Sequence, residues 1–182
     1  MLVKADYNRK RAIEYANVWA LSRNPLFLDY EGIGGDCTSF ASQVLYAGSC
    51  IMNFTPISGW YYITDAQRSA SWTGVEFFYK FLIENIGIGP FGREVFPDEA
   101  IEGDIIQLSD ENDQFYHTLI ITGVEDNEFL VSAHSVDSNN RPLSSYDYSG
   151  LRYIHIEGVR YEMEIPYQCF DDLLAGVSLN IV

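Results

Sequence analysis

The chain has 182 residues, 47% of them hydrophobic and only 20% charged, the composition of a folded globular protein and not of a disordered one. Its 26 acidic against 11 basic residues leave a net charge of −15, which argues against a phosphate-tracking nucleic-acid binder and against an anionic membrane surface, since both need clustered Lys and Arg. One domain over residues 1–182 is expected, because a chain of this size buries roughly 70% of the surface its unfolded form exposes and needs no metal or disulfide framework. No apolar run approaches the about 18 residues of a membrane span. The N-terminus shows no apolar stretch behind its basic residues, so the sequence is expected to act in the cytoplasm, or outside the cell if a leader lies beyond it.

Asp6 to Ala20 is predicted as an amphipathic helix, with Ala12, Tyr15, Ala16, Trp19 and Ala20 recurring at helical spacing until Asn24-Pro25 stops it. Leu26 to Gly35 is a glycine- and aromatic-rich loop. It leads into a second helix from Asp36, the expected N-cap, to Gly48, with Phe40, Ala41, Val44 and Leu45 on one apolar face. Residues 50–72, punctuated by Pro56, Gly59 and Trp60-Tyr61-Tyr62, show no sustained period and are expected to form a long loop able to line a groove. A third helix is expected over Thr73 to Asn85. The period then changes to two, giving strands at Asp104 to Leu108, His117 to Val124, Phe129 to Ser135 and Tyr153 to Glu157. Residues 158–182 form a C-terminal extension with a strand candidate at Arg160 to Ile165 and a short helix near Asp171 to Ala175. Helices first and a strand meander later indicate an α+β fold, N-terminal helices packed on an antiparallel sheet.

Three cysteines are too few for a disulfide scaffold, and their odd number leaves a thiol free. Cys37 falls in the first turn of a helix, where the backbone lowers a thiol pKa and the unpaired N–H groups can receive an oxyanion. Gly34-Gly35 beside it would let a substrate approach the backbone closely. The competing reading is a buried cysteine acting as a small hydrophobe. A nucleophilic cysteine needs a base and a third group to orient that base. His117 opens the most apolar strand. A hairpin turn within residues 124–127 would set His134 opposite it, with Ser132, Asp137 and Asn139 as rivals, although a slip of one residue would turn His134 to the other face. His155 reads as a satisfied structural histidine. No zinc spacing, phosphate loop or calcium loop is present, so no metal and no cofactor is expected.

Several segments carry a resemblance in order along the chain. They are Tyr7-Asn8-Arg9, Gly34-Gly35-Asp36-Cys37-Thr38-Ser39-Phe40-Ala41-Ser42-Gln43, Trp60-Tyr61-Tyr62, Ser71-Trp72-Thr73, Glu102-Gly103-Asp104, His117-Thr118-Leu119 and Ala133-His134-Ser135. Over about residues 6–157 the chain resembles the putative amidase domain family of Gram-positive bacteria. That family looks like a papain-like cysteine hydrolase branch related to NlpC/P60 and CHAP domains. The resemblance implies Cys37 as nucleophile, His117 as base and His134 as the polar third residue. It also implies a peptide or amide substrate, such as a peptidoglycan-derived peptide. Around these, Asp36 and Tyr30 are candidates for substrate contact, Tyr30 as a second oxyanion donor, and Trp60 and Trp72 are candidate groove walls against the alternative of ordinary packing. The expected activity is thiol-dependent hydrolysis of an amide bond. An acyl transferase on the same Cys–His pair and an inactive peptide-binding module are the alternatives.

Overall fold

The computed structural model describes residues 1–162 and 169–181. Helix α1 (Arg9–Trp19) starts where the Asn8 side chain accepts from the Arg11 N–H, and it buries Ala12, Tyr15 and Ala16. Helix α2 (Asp36–Ser49) is buried on every side, all fourteen of its residues included. Its small residues are what permit this: a methyl group on Gly48 would lie 2.2 Å from the Tyr7 ring. Asp36 is not the N-cap of α2 but its first residue. The cap is Gly35, in the left-handed region at φ 96°, and a side chain there would meet the Thr73 carbonyl at 2.9 Å.

The segment expected to be loop is partly ordered. Strands β2 (Tyr62–Thr64) and β3 (Gln67–Arg68) form a small hairpin, followed by α3 (Ala70–Thr73) and α4 (Val75–Glu84). The predicted third helix is α4, starting after Gly74, which is extended at ψ 122°, while the short α3 before it was not expected.

A seven-stranded antiparallel sheet holds β1 (Val3–Ala5), β4 (Gly89–Val95), β5 (Ile105–Ser109), β6 (Phe115–Glu125), β7 (Glu128–Ala133), β8 (Ser138–Pro142) and β9 (Gly150–Tyr161). Its order is β1-β9-β5-β6-β7-β8, with β4 along the other edge of β9. Strands β1, β4 and β8 are absent from the sequence reading, being short, Gly- and Pro-bearing or polar. The candidates at 153–157 and 160–165 are one strand up to Tyr161, and residues 163–165 lie outside the described residues.

Alternation divides the sheet into two faces. Ile105, Ile120, Ile154 and Ile156 join α1, α2 and α4 in the larger core. Ile106, Leu108, Leu119, Ile121 and Val131 form a second core on the opposite face with Val95 and Leu143. Beyond the sheet, Cys169 in α5 (Cys169–Leu174) is disulfide-bonded to Cys50, which caps the end of α2, with Cα atoms 5.8 Å apart. A disulfide was not expected from three cysteines. Cys37 is the free thiol. Among the described residues no helix is long and apolar enough to cross a membrane.

Candidate active site

Cys37 lies in the first turn of α2, 5% exposed. The first main-chain bond of the helix runs from the Ser39 N–H to Gly35, so among the described residues the N–H groups of Asp36, Cys37 and Thr38 have no main-chain partner and face out of the helix end. The expectation of a lowered thiol pKa is corrected by the surroundings. Burial pushes the Cys37 thiol up, against the peptide N–H of Thr118 and the Thr38 hydroxyl, which pull it down, while the charge of Asp36 adds to the rise. The resting group at neutral pH is therefore the thiol.

The two candidate histidines are held in different ways. The hairpin turn is centred one residue later than expected, Glu125 pairing with Glu128, and a bulge at Thr122 then shifts the register back by one: Gly123 pairs with Leu130, but Ile121 pairs with Val131. Pairing continued from Ile120 and Ser132 sets His134 level with Thr118, not with His117, so the one-residue slip has occurred. His134 does not bond His117. Its Nε2–H donates to the Trp19 carbonyl at 2.9 Å, at the C-terminal end of α1, and its Nδ1 lies 3.2 Å from Asp36 Oδ2. That second contact does not meet hydrogen-bond geometry. The ring is stacked on Phe40 at 4.1 Å. Nε2 is thus engaged by the fold, and Nδ1 faces Asp36.

Asp36 is anchored further by Arg23 Nη2 at 2.9 Å and by the Tyr30 N–H at 3.1 Å. Although burial raises its carboxyl pKa, His134, Tyr30 and Arg23 together outweigh that and hold it below the usual carboxylate range. Asp36, 2% exposed, is committed to this cluster and not to a substrate.

His117 faces the second core. Leu119 and Ile121 on the same parity belong to that core, and the His117 ring centroid lies 5.9 Å from that of Tyr146, whereas Thr118 turns to α2. The imidazole has no hydrogen bond among the described residues. Burial, aided by the charge of Arg141, pushes its pKa down to about 4, so the ring is neutral at pH 7. No hydrogen bond joins either imidazole to the Cys37 sulfur.

The remaining candidates are drawn into packing. Tyr30 donates its hydroxyl to Asp65 at 2.9 Å, under Arg68. Trp60 and Trp72 are fully buried and stacked at 5.0 Å, with the Trp60 indole N–H donated to Ser42. They are core residues and not groove walls, because large aromatic surfaces are stabilised most by complete burial. His155 is structural as expected, bonded to Asp104 at 2.8 Å beside Arg9. Among the described residues no group of three His, Cys, Asp or Glu side chains could hold a metal ion.

Residues 6–156 match the family model described as "Putative amidase domain". The chain belongs to that family. The match runs from ahead of α1 into β9 and includes Cys37, His117 and His134, whereas α5 lies outside it. A relative named "Uncharacterized protein YhbB", from Bacillus subtilis (strain 168), is 34% identical over 147 residues, covering 78% of this chain and 46% of its own length. The chain thus spans about half of that relative. No solved structure matches it.

Within this amidase-family domain, residues that sequence reasoning passed over surround the candidate residues: Arg23 contacts Asp36, and Thr38, Thr118, Gln107 and Arg152 are linked in turn behind the Cys37 sulfur. Their signal was present. Thr38 and Thr118 each follow a candidate catalytic residue, and Gln107 interrupts an otherwise apolar strand. A buried polar group in such a position has to find a partner.

Proposed function

We propose that the protein hydrolyses an amide bond with Cys37 as nucleophile and His117 as general base, on a papain-like pairing of helix and sheet. The observation that carries this reading is the contrast between the histidines: His134 is held by the Trp19 carbonyl and turned to Asp36, while His117 is neutral, without a hydrogen bond among the described residues, and adjacent to the Thr118 peptide that reaches the sulfur. His134 then acts as a positioning residue, tying Asp36 at the start of α2 to the end of α1. Pairing of thiol and imidazole on this reading requires the start of β6 to turn as substrate binds, since His117 lies on the sheet face away from α2.

In the reaction His117 takes the thiol proton as sulfur adds to the amide carbon. The oxyanion is received by the N–H groups at the start of α2. His117 passes the proton to the departing amine, leaving a thioester, and then draws a proton from water, whose attack releases the acid and restores the thiol. The Cys50–Cys169 bond favours an oxidising compartment and so an extracellular peptide, such as a peptidoglycan-derived one.

The test uses a muropeptide digest with mass detection of products, and Cys37→Ala and His117→Ala beside the wild type. Loss of all turnover in the first, and a fall of about 100-fold or more in the second with the circular dichroism spectrum unchanged, are expected. Turnover by Cys37→Ala at the wild-type rate would overturn the mechanism. Added amine separates hydrolysis, which yields only acid, from acyl transfer.

A further inference from the structure

A line of buried polar groups runs from β9 to the sulfur. Arg152 is clamped between the Tyr79 and Phe115 rings, its guanidinium carbon 3.5 and 3.7 Å from their centroids, and its Nη2 meets Glu76 at 2.9 Å. Its Nε and Nη2 donate to Gln107 Oε1 at 2.9 and 2.6 Å. A guanidinium can only donate, so the Gln107 oxygen has to face it and the amide nitrogen has to face the other way. That nitrogen donates to the Val75 carbonyl at 3.0 Å and to Thr118 Oγ1 at 3.2 Å. Having accepted, Thr118 directs its own proton to its next partner, Thr38 Oγ1, at 3.0 Å. Thr38 has then accepted in turn, and its O–H is left to point at Cys37 Sγ, 3.8 Å away. Gln107, Thr118 and Thr38 are fully buried, so no water competes for these protons.

We propose that Arg152 tunes the Cys37 nucleophile through this one-way chain, each donor fixed in direction by the one before it and the last aimed at the sulfur. The proposal rests on the reading of Cys37 as nucleophile and assigns Thr38, Thr118, Gln107 and Arg152 as positioning residues for it. A hydroxyl that donates to sulfur favours thiolate over thiol, and a cation at the head of the chain polarises every link toward that end. The other charged or titratable groups at the site are accounted for: Asp36, from the same helix, opposes the thiolate and is held by Arg23 and His134. His117 comes from β6, and Glu76 from α4 sits on Arg152.

The experiment measures the iodoacetamide labelling rate of Cys37 against pH by peptide mass mapping. Thr38→Val is expected to move the midpoint up by about one pH unit, about tenfold slower labelling below the midpoint, with the high-pH plateau unchanged. Thr38→Ser restores the wild-type profile. Gln107→Met, which does not touch the sulfur, is expected to move the midpoint in the same direction by about half a unit. Urea midpoints taken in parallel identify any variant that has lost its fold, in which case the Thr38→Val and Thr38→Ser comparison decides. A wild-type midpoint in Thr38→Val, or in folded Gln107→Met, overturns the chain. Either result leaves the nucleophile assignment standing, because that assignment fails only if Cys37→Ala retains hydrolysis.

Discussion

His117 and Cys37 are each pushed toward their neutral form by burial, and this decides how the pair works. On the proposed mechanism the reactive state is then made during the reaction, by transfer of a proton, and is not stored as an ion pair. The same burial has a thermodynamic signature. The folded pKa of His117 is about 4, below the roughly 6.5 of an unfolded histidine. Between these values the unfolded chain binds more protons, so the stabilisation linked to neutral His117 is complete above about pH 6.5 and is lost as pH falls toward 4. Urea denaturation of wild type and His117→Asn should show the wild type losing about 3 kcal/mol more than the variant between pH 7 and pH 4. Parallel curves would mean that the ring is not desolvated in the folded state.

Among the elements, α2 sets the site because both of its ends are constrained. At its start the chain enters through Gly34 and Gly35, both in the left-handed region, but only Gly35 is also crowded, against Thr73. Gly34→Ala should therefore cost about 1 kcal/mol, from backbone conformation alone, and Gly35→Ala about 2 kcal/mol or more, because α3 has to move as well. Equal urea midpoints for the two variants would show that the contact with Thr73 is soft. The helix itself was legible from the Gly-Gly-Asp at its start, Gly48 near its end and the spacing of Phe40, Ala41, Val44 and Leu45, and β5, β6 and β7 from apolar runs bounded by turn-forming clusters. The bulge at Thr122 was not legible. It falls where Thr122 and Ser132 share a hydrogen bond across the strands, and it moves His134 from the level of Leu119, where the pairing nearer the turn would set it, to that of Thr118.

Over the whole molecule, the Cys50–Cys169 bond joins positions 119 residues apart and holds α5, outside the family match, against the end of α2. Closing so long a span restricts the unfolded chain by about 5 kcal/mol on the chain-entropy account. The double variant Cys50→Ala/Cys169→Ala should lose about that much stability by urea denaturation, yet label Cys37 at the wild-type rate, because the bond sits at the opposite end of α2. A changed labelling rate would show that the two ends of the helix are coupled.

The sequence by itself determined the helices, the central strands, the α+β class and the placement of Cys37 at a helix start, because each follows from local spacing and turn chemistry. Tertiary structure alone decided that Trp60 and Trp72 are core, that Asp36 and Tyr30 are spoken for, that His134 braces two helices, and that Gln107 and Arg152 reach toward the sulfur. Those outcomes depend on which buried polar and aromatic groups meet across chain separations of tens of residues. Spacing along one strand or helix carries no record of such meetings.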